Sequence, residues 1–135
     1  MATINKFNAF TNDLTSAKHD LSTDTVTVAL SNTAPSATNA VLTDLTEITY
    51  TGLSSRNLTT TSSSQTGGVY HYIAADLVLS STGTVGPFRY VALYNSTSAT
   101  HPLIGWLDLG SPITLNNGES LTLDFDNTNG VFTLT

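Results

Sequence analysis

At 135 residues the chain is long enough to bury most of its apolar surface in one domain, and without cysteine it has neither a disulfide nor a thiolate metal site to hold it. Charged residues make up only 10% of it, against about 25% in an ordinary soluble domain, and threonine, serine and asparagine fill the polar positions instead. The net charge of −6, with Lys6, Lys18, Arg56 and Arg89 scattered along the chain, argues against nucleic acid as a partner, because phosphate binding needs clustered cations.

The N-terminal MATINKFNAFTNDL lacks the apolar run of a secretory signal, and nowhere do about 18 consecutive apolar residues occur. The expectation is a chain made in a cytoplasm, with no membrane partner. Phe7, Phe10, Leu14, Ala17 and Leu21 recur at helical spacing, which predicts one short helix within an N-terminal arm, residues 1–22, docked on a sheet or on a neighbouring subunit. Thr11, Thr15 and Ser16 lower its intrinsic propensity, so docking has to sustain it.

Residues 25–30 alternate as a strand, with Val26, Val28 and Leu30 on one face and the threonines on the other. Residues 31–39 read as a loop, and 41–50 as a short turn followed by a strand. In the polar stretch 54–68, Leu58, Thr59 and Thr60 suggest an edge strand and residues 62–68 its exposed loop. Residues 69–79 are apolar on both alternations, predicting a central strand covered on both faces with a bulge at Ala74-Ala75. Thr82-Gly83 and Gly86-Pro87 bracket a turn ahead of a strand over 88–94, and strands over 103–109 and 113–115 follow. Leu121, Leu123 and Phe125 alternate with Thr122, Asp124 and Asp126; Asn127-Thr128-Asn129-Gly130 then reverses the chain into 131–134, predicting a terminal hairpin. About eight strands with turns every eight to twelve residues predict a mainly β fold, a single domain over 1–135 built as an antiparallel β-sandwich or jelly roll.

No residue pattern points to catalysis, to a cofactor or to a metal. His19, His71 and His101 stand alone, outside any HxH, HExxH or HxxxH spacing that would aim two imidazoles at one ion. His71 is expected as a packed, hydrogen-bonded histidine and His101 as a solvated one. Asp124, Asp126 and Thr128 offer alternate oxygens, but Gly130 falls seventh from Asp124 where a calcium loop needs it sixth, and Thr135 stands where the bidentate glutamate belongs. Those aspartates fit the solvent face of a hairpin strand. Glu47 and Glu119 have no spacing that pairs them as acid and base, and a G-x-S-x-G nucleophile elbow is missing. Gly67-Gly68 and the Gly83–Gly86 pair lack the helix and lysine of a phosphate loop and read as turns. Asn57-Leu58-Thr59 and Asn95-Ser96-Thr97 match the glycosylation sequon and, without a secretory signal, are expected to be incidental.

A string of local patterns over nearly the whole chain resembles small structural proteins of tailed bacteriophages and prophages. It comprises Asn5-Lys6-Phe7-Asn8 with Phe10 and Asp13-Leu14, then Ser22-Thr23-Asp24-Thr25 leading to Val28-Ala29-Leu30, then Ala34-Pro35 and Leu45-Thr46-Glu47-Ile48. Gly86-Pro87-Phe88-Arg89-Tyr90-Val91-Ala92-Leu93-Tyr94-Asn95 and Pro102-Leu103-Ile104-Gly105-Trp106 follow and are its most specific blocks, with Asp124-Phe125-Asp126 and Asn129-Gly130-Val131 closing the string. The resemblance implies a virion component without catalytic residues, with head decoration or cement favoured and a tail or fibre part, including a carbohydrate-binding β-sandwich, as the alternative. It implies the major capsid protein or another virion protein as partner, a homo-oligomer with a trimer favoured, and no cofactor. Tyr70, Tyr72, Tyr90, Tyr94 and Trp106 are the aromatics available as contact anchors or as core.

Overall fold

The computed structural model, which describes residues 4–135, is built on nine strands: Asn5–Lys6 (β1), Val26–Ser31 (β2), Thr60–Thr66 (β3), Val69–Ala74 (β4), Leu77–Ser80 (β5), Val85–Asn95 (β6), Leu103–Leu115 (β7), Ser120–Leu123 (β8) and Phe132–Leu134 (β9). All pairings between them are antiparallel, in sheets ordered β1-β7-β6-β2, β3-β4-β9 and β5-β8. The architecture is the antiparallel β-sandwich that the turn spacing predicted.

The first sheet is organised by β6 and β7, whose pairing is interrupted by register shifts that bend both strands. Residues 103–109 and 113–115, expected as two strands, are one strand because Val85 and Phe88 continue the ladder against Leu115 and Ile113. The core between the sheets takes Val26, Val28 and Leu30 from β2, Tyr72 from β4, Phe88 and Val91 from β6, and Phe132 from β9. The threonine-bearing face of β2 is also covered. Ala29 packs there with Phe7, Ala92, Tyr94 and Leu103 in a second cluster, flanked by Leu42, Leu45 and Trp106, so all six residues of β2 are buried.

The N-terminal helix forms over Asn8–Thr15 (α1), shorter than its apolar stripe. Ala17 turns left-handed at φ 60°, and Lys18 N–H donates to the Asp13 carbonyl while Ala17 N–H donates to that of Leu14, the double bond of a Schellman stop. Phe10 and Leu21 still reach the main core, whereas Phe7, ahead of the helix, enters the second cluster. The first three residues of the arm lie outside the described residues.

Four expectations need correcting. Residues 45–50 form no strand: after a 3₁₀ turn at Leu42–Asp44 the chain runs along the β2 edge, where Ile48 N–H donates to the Leu30 carbonyl. The serine-rich stretch 62–66 is a strand, because the Gly67-Gly68 turn folds it back onto β4. Residues 69–79 are two strands in different sheets, parted where the Asp76 carboxylate accepts the Phe125 N–H at 2.9 Å. The terminal reversal exists, but β8 pairs with β5 and β9 with β4, and only an Asp126–Gly130 bridge joins the turn's two sides.

Candidate functional site

The β3–β4 hairpin is the most distinctive surface. Gly67 and Gly68 sit at φ 59° and 82°, the left-handed pair of a two-residue turn that a side chain would strain. Such a turn makes Thr66 and Val69 a hydrogen-bonded pair, and the register then aims the backbone groups of Ser62, Ser64 and Thr66 at β4 and those of Ser63 and Gln65 outward. Side chains hold the strand in place: Thr60 shares a 2.8 Å hydrogen bond with the Tyr72 hydroxyl, Ser63 one of 2.8 Å with that of Tyr70, and Gly68 N–H donates to Gln65 Oε1 at 2.9 Å. Burial raises the pKa of both tyrosines, which stay neutral donors and acceptors.

The edges of β2 and β5 are closed. Along β2, Val28 N–H donates to the Arg56 carbonyl and Leu58 N–H to that of Val26, while the Tyr50 hydroxyl accepts from Leu30 N–H at 2.9 Å and donates to Glu47. Arg56 lies 3.7 Å from the Tyr50 ring centroid and donates to the Val28 carbonyl, sealing that edge with a cation stacked on an aromatic. Ser54 covers β5 through a backbone bond to Ser80 and side-chain bonds to Ser80 and Val78.

Beside the hairpin lies an open groove of about 640 Å³ bounded by Leu14, Leu21, Ser63, Tyr70 and Leu134. His19 forms part of its wall, with Nδ1 turned into a buried network. Asn95 Oδ1 accepts the N–H groups of Thr97 and Ser98, so its amide nitrogen faces Asp24 Oδ2 at 2.6 Å and His19 Nδ1 at 3.2 Å. Nδ1 is thereby the acceptor and Nε2 carries the proton; Nε2 is buried without a hydrogen-bond partner, and the ring meets Phe10 edge-on at 5.1 Å. Desolvation lowers the His19 pKa, opposed in part by Asp13 and Asp24, which keeps the ring neutral.

The remaining residues singled out in the sequence are dispersed. His71 Nδ1 donates to the Asn129 carbonyl at 3.0 Å, fastening the 127–130 turn to β4, and His101 sits at φ 49° with its ring 5.7 Å from Tyr94. Asp126 folds its own turn, accepting from Thr128 and Asn129 N–H at 2.7 and 2.9 Å; these bonds lower its pKa. Asp124 is exposed. Glu47 holds Tyr50 and Glu119 accepts from Asn116, each a local partner. Among the described residues no three His, Asp or Glu side chains gather as a metal site, and no helix is long and apolar enough to cross a membrane. Tyr72 and Tyr94 are core; Tyr70, Tyr90 and Trp106 keep partial exposure, Trp106 packed 4.6 Å from Phe7 and Tyr90 beside the Arg89–Asp108 ion pair. Asn95, read in the sequence as a sequon, is fully buried with both ends of its amide engaged, so it has no room for a glycan. Its place at the end of a buried strand, followed by Ser96-Thr97-Ser98, is the signal that marks it as a turn-holding asparagine.

What these residues define is an antiparallel β-sandwich with a hydroxyl-lined hairpin at one flank. Searches against protein-family models, curated proteins and solved structures find no match.

Proposed function

We propose that this chain is a structural virion protein of a tailed bacteriophage or prophage, acting as a decoration or cement protein on the outside of the head. It would be made in the bacterial host's cytoplasm and carried on the particle, with the major capsid protein as its partner. The reading is carried by the resemblance over nearly the whole chain, above all at Gly86–Asn95 and Pro102–Trp106. Both blocks lie on the paired central strands β6 and β7, so what they specify is scaffold. The adhesive role is supported by composition. With 10% charged residues, the surface is dominated by short hydroxylated side chains, which lose less conformational entropy than Lys or Glu when another protein covers them. A trimer at three-fold positions of the shell is the assembly this role favours.

Copy number per purified particle, by quantitative mass spectrometry, is the test. Hundreds of copies together with an outer-shell density that disappears on deletion of the gene support the reading. A handful of copies places the chain in the tail or fibre, and absence from the particle refutes both.

A further inference from the structure

We infer that β3 is a homotypic docking strand, through which two copies of this chain pair antiparallel across a two-fold axis and join their three-stranded sheets edge to edge. The backbone N–H and C=O groups of Ser63 and Gln65 point away from β4 and meet no partner among the described residues, whereas β2 and β5 have their edges covered by residues 46–58. Native proteins blunt open edges with charge, proline or cover. Residues 57–75 contain no Asp, Glu, Lys, Arg or Pro, in a chain whose net charge is −6.

That absence of charge selects a second copy as occupant. In a two-fold pairing the residue on the axis faces its own mate and its neighbours face other residues of the same short strand, so charges of one sign there would repel; this strand has none. A register centred on Ser64 places Ser63 of each copy opposite Gln65 of the other, and each such pair exchanges two hydrogen bonds, about four in all. Ser62, Ser64 and Thr66 share one face of the strand, with side chains small enough to lie against their mates, and Ser62 and Ser64 already bond each other at 3.1 Å. A three-fold assembly would use another surface, because one edge takes one partner, and β3 would then link two such assemblies. The pairing does not depend on where the protein works.

The test is the mass of the full chain by analytical ultracentrifugation across a dilution series, for the native protein and for Ser64→Lys and Ser64→Thr. Ser64 is exposed and its side chain bonds only Ser62, so both variants keep the fold, which thermal melting checks. The native chain and Ser64→Thr are expected to dimerise from a 14.2 kDa protomer with concentration. Ser64→Lys, which opposes two like charges across the axis, is expected to weaken the dimer about tenfold or more at low salt, with partial recovery near 0.5 M salt. Hydrogen exchange should slow at Ser63 and Gln65 on dimerisation. A protomer mass that holds up to about 1 mM, or an assembly that Ser64→Lys leaves intact, overturns the inference.

Discussion

Gly130 is where the C-terminal strand is locked to the fold, and Gly130→Ala tests how. The residue sits at φ 90°, and a methyl group there would lie 2.8 Å from the carbonyl carbon of Tyr72 and closer still to its oxygen, the acceptor of the Val131 N–H. Two costs follow. Holding alanine left-handed costs about 1–2 kcal/mol, and displacing the Tyr72 carbonyl from a buried hydrogen bond costs about 1–3 kcal/mol more. For 135 residues the unfolding entropy is about 0.28 kcal/mol/K, so a combined loss near 3.5 kcal/mol lowers Tm by about 12 °C. Gly118→Ala supplies the control, because Gly118 has φ 84° with nothing near its missing Cβ, so only the conformational term applies: about 1.5 kcal/mol, or about 5 °C. Calorimetry of the two variants beside the native chain measures the difference, and hydrogen exchange should show Val131 losing protection in Gly130→Ala alone. Equal shifts in Tm for the two variants would refute the proposed clash with β4.

Three further outcomes follow from the buried polar groups. Asn95→Asp replaces the amide nitrogen that faces Asp24 with a second carboxylate oxygen, so it should cost about 2–4 kcal/mol and exceed the loss for Asn95→Ala. Equal losses in urea denaturation would show that the amide does not face Asp24. Tyr50→Phe removes the acceptor of the Leu30 N–H on a fully buried strand residue while leaving a ring for Arg56 to stack on, and should cost about 1–3 kcal/mol in the same assay. His19, whose folded pKa is depressed chiefly by desolvation, contributes stability that is present above its unfolded value of 6.5 and lost as pH falls toward the folded value. The urea midpoint should therefore drop between neutral pH and mildly acid pH, and His19→Gln should flatten that drop; an unchanged slope would exclude His19 as its source.

Strand existence was legible along most of the chain, whereas strand partnership was not. The alternation at Val26-Val28-Leu30 and the apolar run 88–94 marked real strands because burial imposes a period of two whatever the neighbour. The same rule made residues 121–134 look like one hairpin. It registers the turn at 127–130 and is silent on the fact that β8 finds β5 and β9 finds β4, both distant in sequence. Residues 69–79 read as one strand because an apolar run carries no mark of a change of sheet; Asp76, the single acid in it, was the available sign of a break. Serine-rich β3 was hidden by weak β-propensity, which pairing and the tyrosine hydroxyls override. There Gly67-Gly68, a two-glycine turn followed by an apolar strand, was a hairpin signal that outweighed composition. The His19–Asn95–Asp24 network had no signal in spacing, since its members are joined only by the tertiary fold.

The distribution of acids explains how a chain of net charge −6 keeps an uncharged docking edge. Asp20, Asp44 and Asp126 each accept a backbone N–H from within their own turn, at Ser22, at Ala40 and Val41, and at Thr128 and Asn129 respectively, and Asp108 accepts that of Gly110 within β7. Each has its pKa lowered by hydrogen bonding, in Asp108 chiefly to the Arg89 guanidinium. Three of these acids thus fix loops and Asp108 ties β7 to β6, while hydroxyls line the β3 strand. The two roles titrate apart. Carboxylates with depressed pKa values contribute stability that is present above the unfolded value of 3.8 and lost only as pH falls below it, beneath the window in which His19 acts. Association through β3 rests on backbone hydrogen bonds and neutral side chains, with no ion pair to screen. Dimerisation of the native chain should therefore change little with salt, apart from relief of the general repulsion between two acidic molecules, which makes association slightly stronger as salt rises. A contact built from complementary charges would weaken instead, so the sign of the salt effect separates the two.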